Sequence, residues 1–210
     1  MTIKVEKKFQ DQQDQFIYKV DELLDFYEWD AQLVSQAEEE CGFEQGYASI
    51  LNMGETDEII TAYEVLQDKK MLELLAELSA PLKVREKIAL ALKTRIKNCC
   101  SKIILKKNQR LLSSLENLAL AAKLAWETCD NIWRYAGDNS TDFNYYSKRG
   151  LLVGVYVSSI VFYINDESEN SVKTDDYIDK SLTKIINIAN FKNIIKLPKL
   201  EDIPILRLFS

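Results

Sequence analysis

Apolar residues recur at three- and four-residue intervals along most of this chain. Phe16, Ile17, Val20, Leu23, Leu24 and Tyr27 form one such stripe and predict a first helix. After Asp30, the positions Leu33, Val34 and Ala37 predict a second, short helix. Cys41-Gly42 ends it, glycine being the usual residue just past a helix. A third short helix is expected over about residues 44–51, with a break at Asn52-Met53-Gly54. Two short helices across a tight glycine turn outline a helix-turn-helix. A long helix follows over about residues 57–78, with Asp57 and Glu58 at its positive end. Pro81 is placed to open the next, with Ser79 as cap and Val84, Ile88, Leu92 and Ile96 facing inward. Beyond a Lys-rich connection, a helix is expected over about 113–136, closed by Gly137. Asn139 or Ser140 would cap another that runs to about 165. Residues 166–173 read as a polar loop. The last helix, about 174–190, carries Ile178, Leu182, Ile185, Ile186 and Ala189 on one face. The remaining tail is apolar and broken by Pro198 and Pro204.

The pattern is all-α. It divides into a helix-turn-helix-like unit (residues 1–55), a helical bundle (56–197) and a tail (198–210). That layout resembles TetR-type regulators, whose C-terminal bundle encloses a hydrophobic ligand and mediates dimerisation; the analogy is one of fold and sets no function. Composition agrees with helices: 47% apolar, 29% charged, six Gly and three Pro. The sequence has no histidine, which removes the commonest general base and the commonest metal ligand. Cys41, Cys99, Cys100 and Cys129 form no CxxC pair, so a zinc site is not expected and reduced, buried thiols are. The first residues lack an apolar signal core and an Arg-rich, acid-poor character, so neither a secretory signal nor a transit peptide is expected. The longest apolar run, residues 151–164, contains Ser158 and Ser159. It is shorter than the roughly 20 residues a bilayer requires and reads as a buried helix.

Charge is segregated. Residues 20–68 hold fourteen carboxylates and no Lys or Arg; residues 83–110 hold ten basic residues and one acid, Glu86. Two readings are open: helix faces that attract each other, or a basic segment that meets anionic lipid or an acidic partner. Either way, DNA binding by the helix-turn-helix has little support. Affinity for DNA rests on cations at phosphates, and the candidate recognition segment, residues 44–52, has none. Only Lys4, Lys7, Lys8 and Lys19 are nearby in sequence.

The densest chemistry lies in residues 136–150, AGDNSTDFNYYSKRG. Gly137 ends a helix, Asn139 or Ser140 caps the next, and Asp142 favours its positive end. Capping does not require two adjacent Tyr beside Lys148 and Arg149, and exposed Tyr and Arg favour the centres of protein interfaces. Catalysis by Asp138 and Asp142 is an alternative with neither histidine nor a phosphate loop to assist it.

Residues 130–168, DNIWRYAGDNSTDFNYYSKRGLLVGVYVSSIVFYINDES, closely resemble the signature of the ubiquinone biosynthesis protein nine family. Residues 83–96 and, more weakly, 174–185 resemble its other segments. The resemblance implies a TetR-like fold that has lost DNA binding, in a homodimeric, non-enzymatic accessory protein of ubiquinone synthesis. Such a protein would need no cofactor or metal. It would hold an isoprenoid quinone intermediate and dock the demethoxyubiquinone hydroxylase at the membrane. Carried over, the docking patch would comprise Asp138, Asp142, Asn144, Tyr145, Tyr146 and Arg149. Lipid-facing walls would come from Trp133, Leu152, Val155, Tyr156, Ile160, Ile178 and Leu182. Tyr145 stands where the family has Trp, which reduces contact area. Thr174-Asp175 and Lys180-Ser181 replace a Thr-Trp and an Arg pair. Lys180, Lys184, Lys192, Lys196 and Lys199 accompany apolar residues, which suits either a membrane-surface segment or a tail folded on the bundle. A bacterial protein, cytoplasmic and peripheral at the inner membrane, is the expectation. The competing expectation is a ligand-responsive TetR-type regulator.

Overall fold

The computed structural model describes residues 2–78, 81–139 and 143–194, with side chains from residue 6 to 185 except 143 and 144 within those stretches. Among the described residues the elements are helical and no strand occurs. Helix α1 (Thr2–Leu23) begins well before the apolar stripe. Ahead of the stripe Phe9 packs against the core and Gln10 donates to Asp14 at 2.9 Å. Phe16, Ile17, Val20, Leu23 and Leu24 are buried, as their spacing predicts.

Helix α2 (Ala31–Cys41) starts where Asp30 accepts hydrogen bonds from the backbone N–H groups of Gln32 and Leu33, at 2.9 and 3.2 Å. It ends at Gly42, whose φ of 71° is left-handed. The Gly42 N–H bonds Glu39 O and the Phe43 N–H bonds Glu38 O, closing the last turn. Helix α3 (Tyr47–Ile50) is a single turn, much shorter than the 44–51 that the pattern predicts. Glu38 of α2 explains the difference. Its buried carboxylate accepts from the N–H of Gly46 (3.0 Å) and of Ala48 (2.8 Å), anchoring α3 from the side.

Helix α4 (Thr56–Ala76) opens with Glu58 accepting from the N–H groups of Gly54 and Glu55. Helix α5 (Val84–Lys97) begins later than Pro81 would allow, because Glu86 caps the Lys83 N–H at 2.8 Å; Ser79 lies outside the described residues. The Lys-rich stretch, expected as a connection, is helix α6 (Lys102–Leu112), capped by Ser101. Its Ile104, Leu105, Lys107 and Asn108 are buried. The Lys107 ammonium donates to the carbonyls of Leu24 and Tyr27, both at 2.8 Å, and so neutralises the negative end of α1.

A short 3-10 turn at Leu115–Asn117 leads into α7 (Leu118–Tyr135). Then come α8 (Phe143–Ile164) and, after a second 3-10 turn at Glu169–Ser171, α9 (Val172–Ile194). The expected polar loop is organised by Asp166. One carboxylate oxygen accepts from the Ser168 N–H and hydroxyl, the other from the Thr174 N–H and hydroxyl, at 2.6 to 2.9 Å. These bonds hold the carboxyl well below the usual carboxylate range.

Helix α8 is long and apolar enough to cross a membrane by length and composition alone. Its Leu152, Val155, Tyr156, Ser159, Tyr163 and Ile164 are nonetheless buried, and it packs on α5, α6, α7 and α9. One continuous core runs from Phe16 of α1 through Ile59, Leu92, Leu105 and Cys129 to Leu182 of α9.

The two charge blocks meet across this core. Arg95 of α5, 1% exposed, pairs with Asp68 at 2.7 Å and with Glu64, both on α4. Lys93 and Lys97 turn the other way, to Asp179 and Asp175 of α9, at 2.8 and 2.9 Å. Mutual attraction of helix faces thus accounts for the middle of the basic block. Lys83, Arg85 and Lys106 remain on the surface.

Candidate functional site

The α7–α8 junction is built around one guanidinium. Helix α7 ends in the same closed turn as α2: Gly137, at φ 93°, bonds Arg134 O, and the Asp138 N–H bonds Trp133 O. This aims the Asp138 carboxylate at α8. Arg149 reaches across to Asp130 of α7 (2.5 Å) and to Asp138 (3.0 Å), and its guanidinium lies over the Tyr145 ring, 3.5 Å from the centroid. The Tyr145 hydroxyl donates to Asp130 at 3.1 Å. Lys148 binds Asp138 at 2.7 Å, and Arg134 binds Asp130 at 2.7 Å. Burial pushes the Asp130 carboxyl up, yet the hydrogen bonds from Arg149 and Tyr145 and the nearby cationic charge outweigh it, and the net direction is down. Burial likewise opposes the Arg149 charge, and the two carboxylates more than restore it.

This geometry revises the expected docking patch. Arg149 is 1% exposed and the Asp138 side chain 7%, so both fasten the junction from inside; charges of opposite sign close at hand make burial tolerable. Tyr146, 62% exposed, and half-buried Tyr145 reach the surface. Asp142 and the Asn144 side chain lie outside the described residues. Trp126 of α7, which the pattern does not single out, joins the two tyrosines. Ring centroids are 6.3 Å from Tyr145 and 6.2 Å from Tyr146, and the tyrosines meet edge-on at 5.1 Å. Asp130 and Arg134, spaced i and i+4 on α7, were legible as a pair but not as the anchor of Arg149.

One cleft adjoins this cluster, and a second shares two lining residues with the first. A polar one of about 440 Å³ is lined by Glu64 and Asp68 of α4, by Trp126, Asp130, Asn131 and Arg134 of α7, and by Tyr145. An apolar one of about 320 Å³ lies between α6, α7 and α8. Its lining includes Leu105, Leu112, Leu118, Ala121, Leu124, Tyr156, Val157, Ile160 and Val161. Of the expected lipid-facing residues, Tyr156 and Ile160 line it. Leu152, Val155, Ile178 and Leu182 instead belong to the core, 0 to 3% exposed, and line neither of these two clefts. Trp133 packs half-buried under Lys148, 5.4 Å from its ring. The missed lining comes from α7 and from α6, which the run of lysines disguised as a connection.

A bundle of this order, with a one-turn α3, has the class of a TetR-like helical protein. The chain superposes on the TetR transcriptional regulator of Nitrosomonas europaea with a TM-score of 0.63 at 19% identity, over 82% of this chain and 96% of that one. Sequence narrows the class. Residues 118–189, spanning α7, α8 and most of α9, match the COQ9 family model. The chain is 29% identical over 176 residues to the probable mitochondrial ubiquinone biosynthesis protein coq9 of Dictyostelium discoideum, covering 80% of this chain and 57% of that one. It is 31% identical over 75 residues to the rat mitochondrial protein COQ9, covering 36% of this chain and 24% of the relative. The chain is thus similar to COQ9 proteins, most clearly over residues 118–189, and it spans little more than half the length of the Dictyostelium relative.

Proposed function

We propose that the chain is a non-catalytic lipid-binding accessory protein of ubiquinone biosynthesis. It holds an isoprenoid quinone intermediate in the apolar cleft and presents it to a membrane-associated demethoxyubiquinone hydroxylase docked on the Trp126–Tyr145–Tyr146 face. The observation that carries this reading is a shared wall: the apolar cleft has Glu64 and Leu124 in common with a polar cleft that Trp126 and Tyr145 of the aromatic face line. At about 320 Å³ the cleft is of a size that small-molecule sites take, roughly 300–1,000 Å³. The relatives' printed names supply the pathway. Carboxylates at the junction are tied to cations, which leaves Asp138 poorly placed as a general base.

Exposed Lys83, Arg85 and Lys106 would bring the protein to an anionic membrane surface, and the working form would be a homodimer. Native mass spectrometry after mild purification tests the reading: an isoprenoid-sized adduct is expected, and a protein that carries none and takes up none from quinone-loaded detergent would refute it. The fold keeps a second reading in view, a ligand-responsive TetR-type regulator. That reading predicts salt-dependent shifts of a palindromic duplex. The one-turn α3 and the cation-free stretch 20–68 argue that none will be seen.

A further inference from the structure

The apolar and polar clefts share two lining residues, Glu64 of α4 and Leu124 of α7. Leu124 is buried, and the Glu64 side chain is only 12% exposed, so together they form the divide between the clefts. Glu64 is fixed there from two sides. Arg95 donates to one carboxylate oxygen and the Asn108 amide donates to the other at 3.0 Å. Asn108, which also lines the apolar cleft, is fixed in turn by the Trp29 indole N–H at 2.8 Å. Both Glu64 oxygens therefore already accept from N–H donors; burial pushes the carboxyl up, and Arg95 and Asn108 oppose that shift. A carboxylate has about four lone-pair sites, so acceptor capacity remains at each oxygen. A buried acceptor at the end of an otherwise apolar cleft selects for a donor on whatever fills that cleft, because a partner lacking the donor leaves it unmatched.

We propose that Glu64 is the head-group residue of the apolar cleft. It accepts a hydrogen bond from a hydroxyl on the ligand, so that the preferred ligand class is an alkyl or isoprenoid chain carrying a phenolic or alcoholic O–H. This rests on the lipid-binding reading and narrows it: quinone carbonyls only accept, so the head held at Glu64 is the reduced hydroquinone form or another phenol or alcohol. With its chain between α6, α7 and α8, such a ligand has its head at the Glu64–Leu124 divide. The polar cleft beyond is walled by Trp126 and Tyr145 of the aromatic face.

The test uses the whole chain and two probes of matched shape, 4-octylphenol and 4-octylanisole, which differ in the hydroxyl proton. Affinities are measured by displacement of a fluorescent fatty-chain probe. The expected result is a phenol preference of roughly tenfold or more, the worth of a hydrogen bond to a charged acceptor. Glu64→Leu should abolish the preference while anisole affinity is retained. Should that variant fail to fold because Arg95 loses a partner, Glu64→Gln serves instead. It keeps the shape, weakens the acceptor and should cut the preference to a few-fold. Equal binding of phenol and anisole by the unaltered protein overturns the proposal and leaves the lipid reading standing. A preference undiminished by Glu64→Gln or Glu64→Leu also overturns it, since the hydroxyl then sits elsewhere. Binding of neither probe overturns both.

Discussion

The α2–α3 turn and the α7–α8 junction use the same local chemistry and reach opposite ends. Both helices stop at a left-handed glycine, Gly42 or Gly137, with the same pair of closing hydrogen bonds. At α2–α3 the nearby carboxylate, Glu38, turns inward and satisfies the N–H groups of Gly46 and Ala48. Its charge is used up within the unit, and the helix it anchors is one turn long, too short to lie along a DNA groove. At α7–α8 the carboxylates Asp130 and Asp138 also turn inward, but onto Arg149, which underlies Tyr145. There the buried charges hold an aromatic group at the surface. Buried ion pairs contribute little net stability against a well-packed apolar alternative, whereas removing one partner is costly. That asymmetry suits a network retained to position a face.

Substitutions separate the two regions in order of effect. Arg149→Met removes the buried cation shared by Asp130 and Asp138, which keep Arg134 and Lys148, and should cost about 3 kcal/mol in chemical denaturation, with the Trp126 fluorescence environment changed. Glu38→Ala leaves two backbone N–H groups near α3 unpartnered and should cost about 1–3 kcal/mol, with the aromatic face undisturbed. If Glu38→Ala altered Tyr146 accessibility to iodination as much as Arg149→Met does, the two regions would not be independent in the way their geometry implies.

Acid acts on the junctions that use carboxylates. The folded pKa values of Asp130 and Asp166 both lie below the ordinary value. Their stabilising contribution is therefore present above the unfolded carboxylate pKa, near 4, and is lost as pH falls through the lower folded values. The melting temperature should fall below about pH 4, and Asp130→Asn should flatten part of that fall. A melting profile unchanged by Asp130→Asn would mean the Arg149 cluster does not titrate as described. The smallest effect on stability is expected at the surface. Tyr146→Ala should change unfolding free energy by less than about 0.5 kcal/mol, while hydroxylase capture in a pull-down weakens.

Much of this architecture was legible because it rests on local rules. The stripe of α1, Gly42 and Gly137 are read from spacing and from residue types that favour one backbone geometry. What escaped depends on partners far away in sequence. Lys107 reads as a surface charge until the carbonyls of Leu24 and Tyr27 are brought to it, so α6 passed for a connection. Arg149 reads as an interface residue until Asp130 and Asp138 enclose it. Trp126 sits four residues before Asp130, too far back in the helix for the 136–150 motif to announce it. Part of the apolar cleft needed α6 to be a helix, which is why Tyr156 and Ile160 were expected there and Leu105 and Leu112 were not.

The central claim is that the cleft between α6, α7 and α8 holds a lipid beside the aromatic face. Titration of a short polyprenyl phenol, followed by tryptophan fluorescence, tests it most directly when the protein is compared with Ala121→Trp, which fills the cleft from α7. Saturable binding at one site per chain, lost in Ala121→Trp while the helical signal is retained, is the predicted result; equal binding by the filled variant, or no saturable binding at all, would contradict the account.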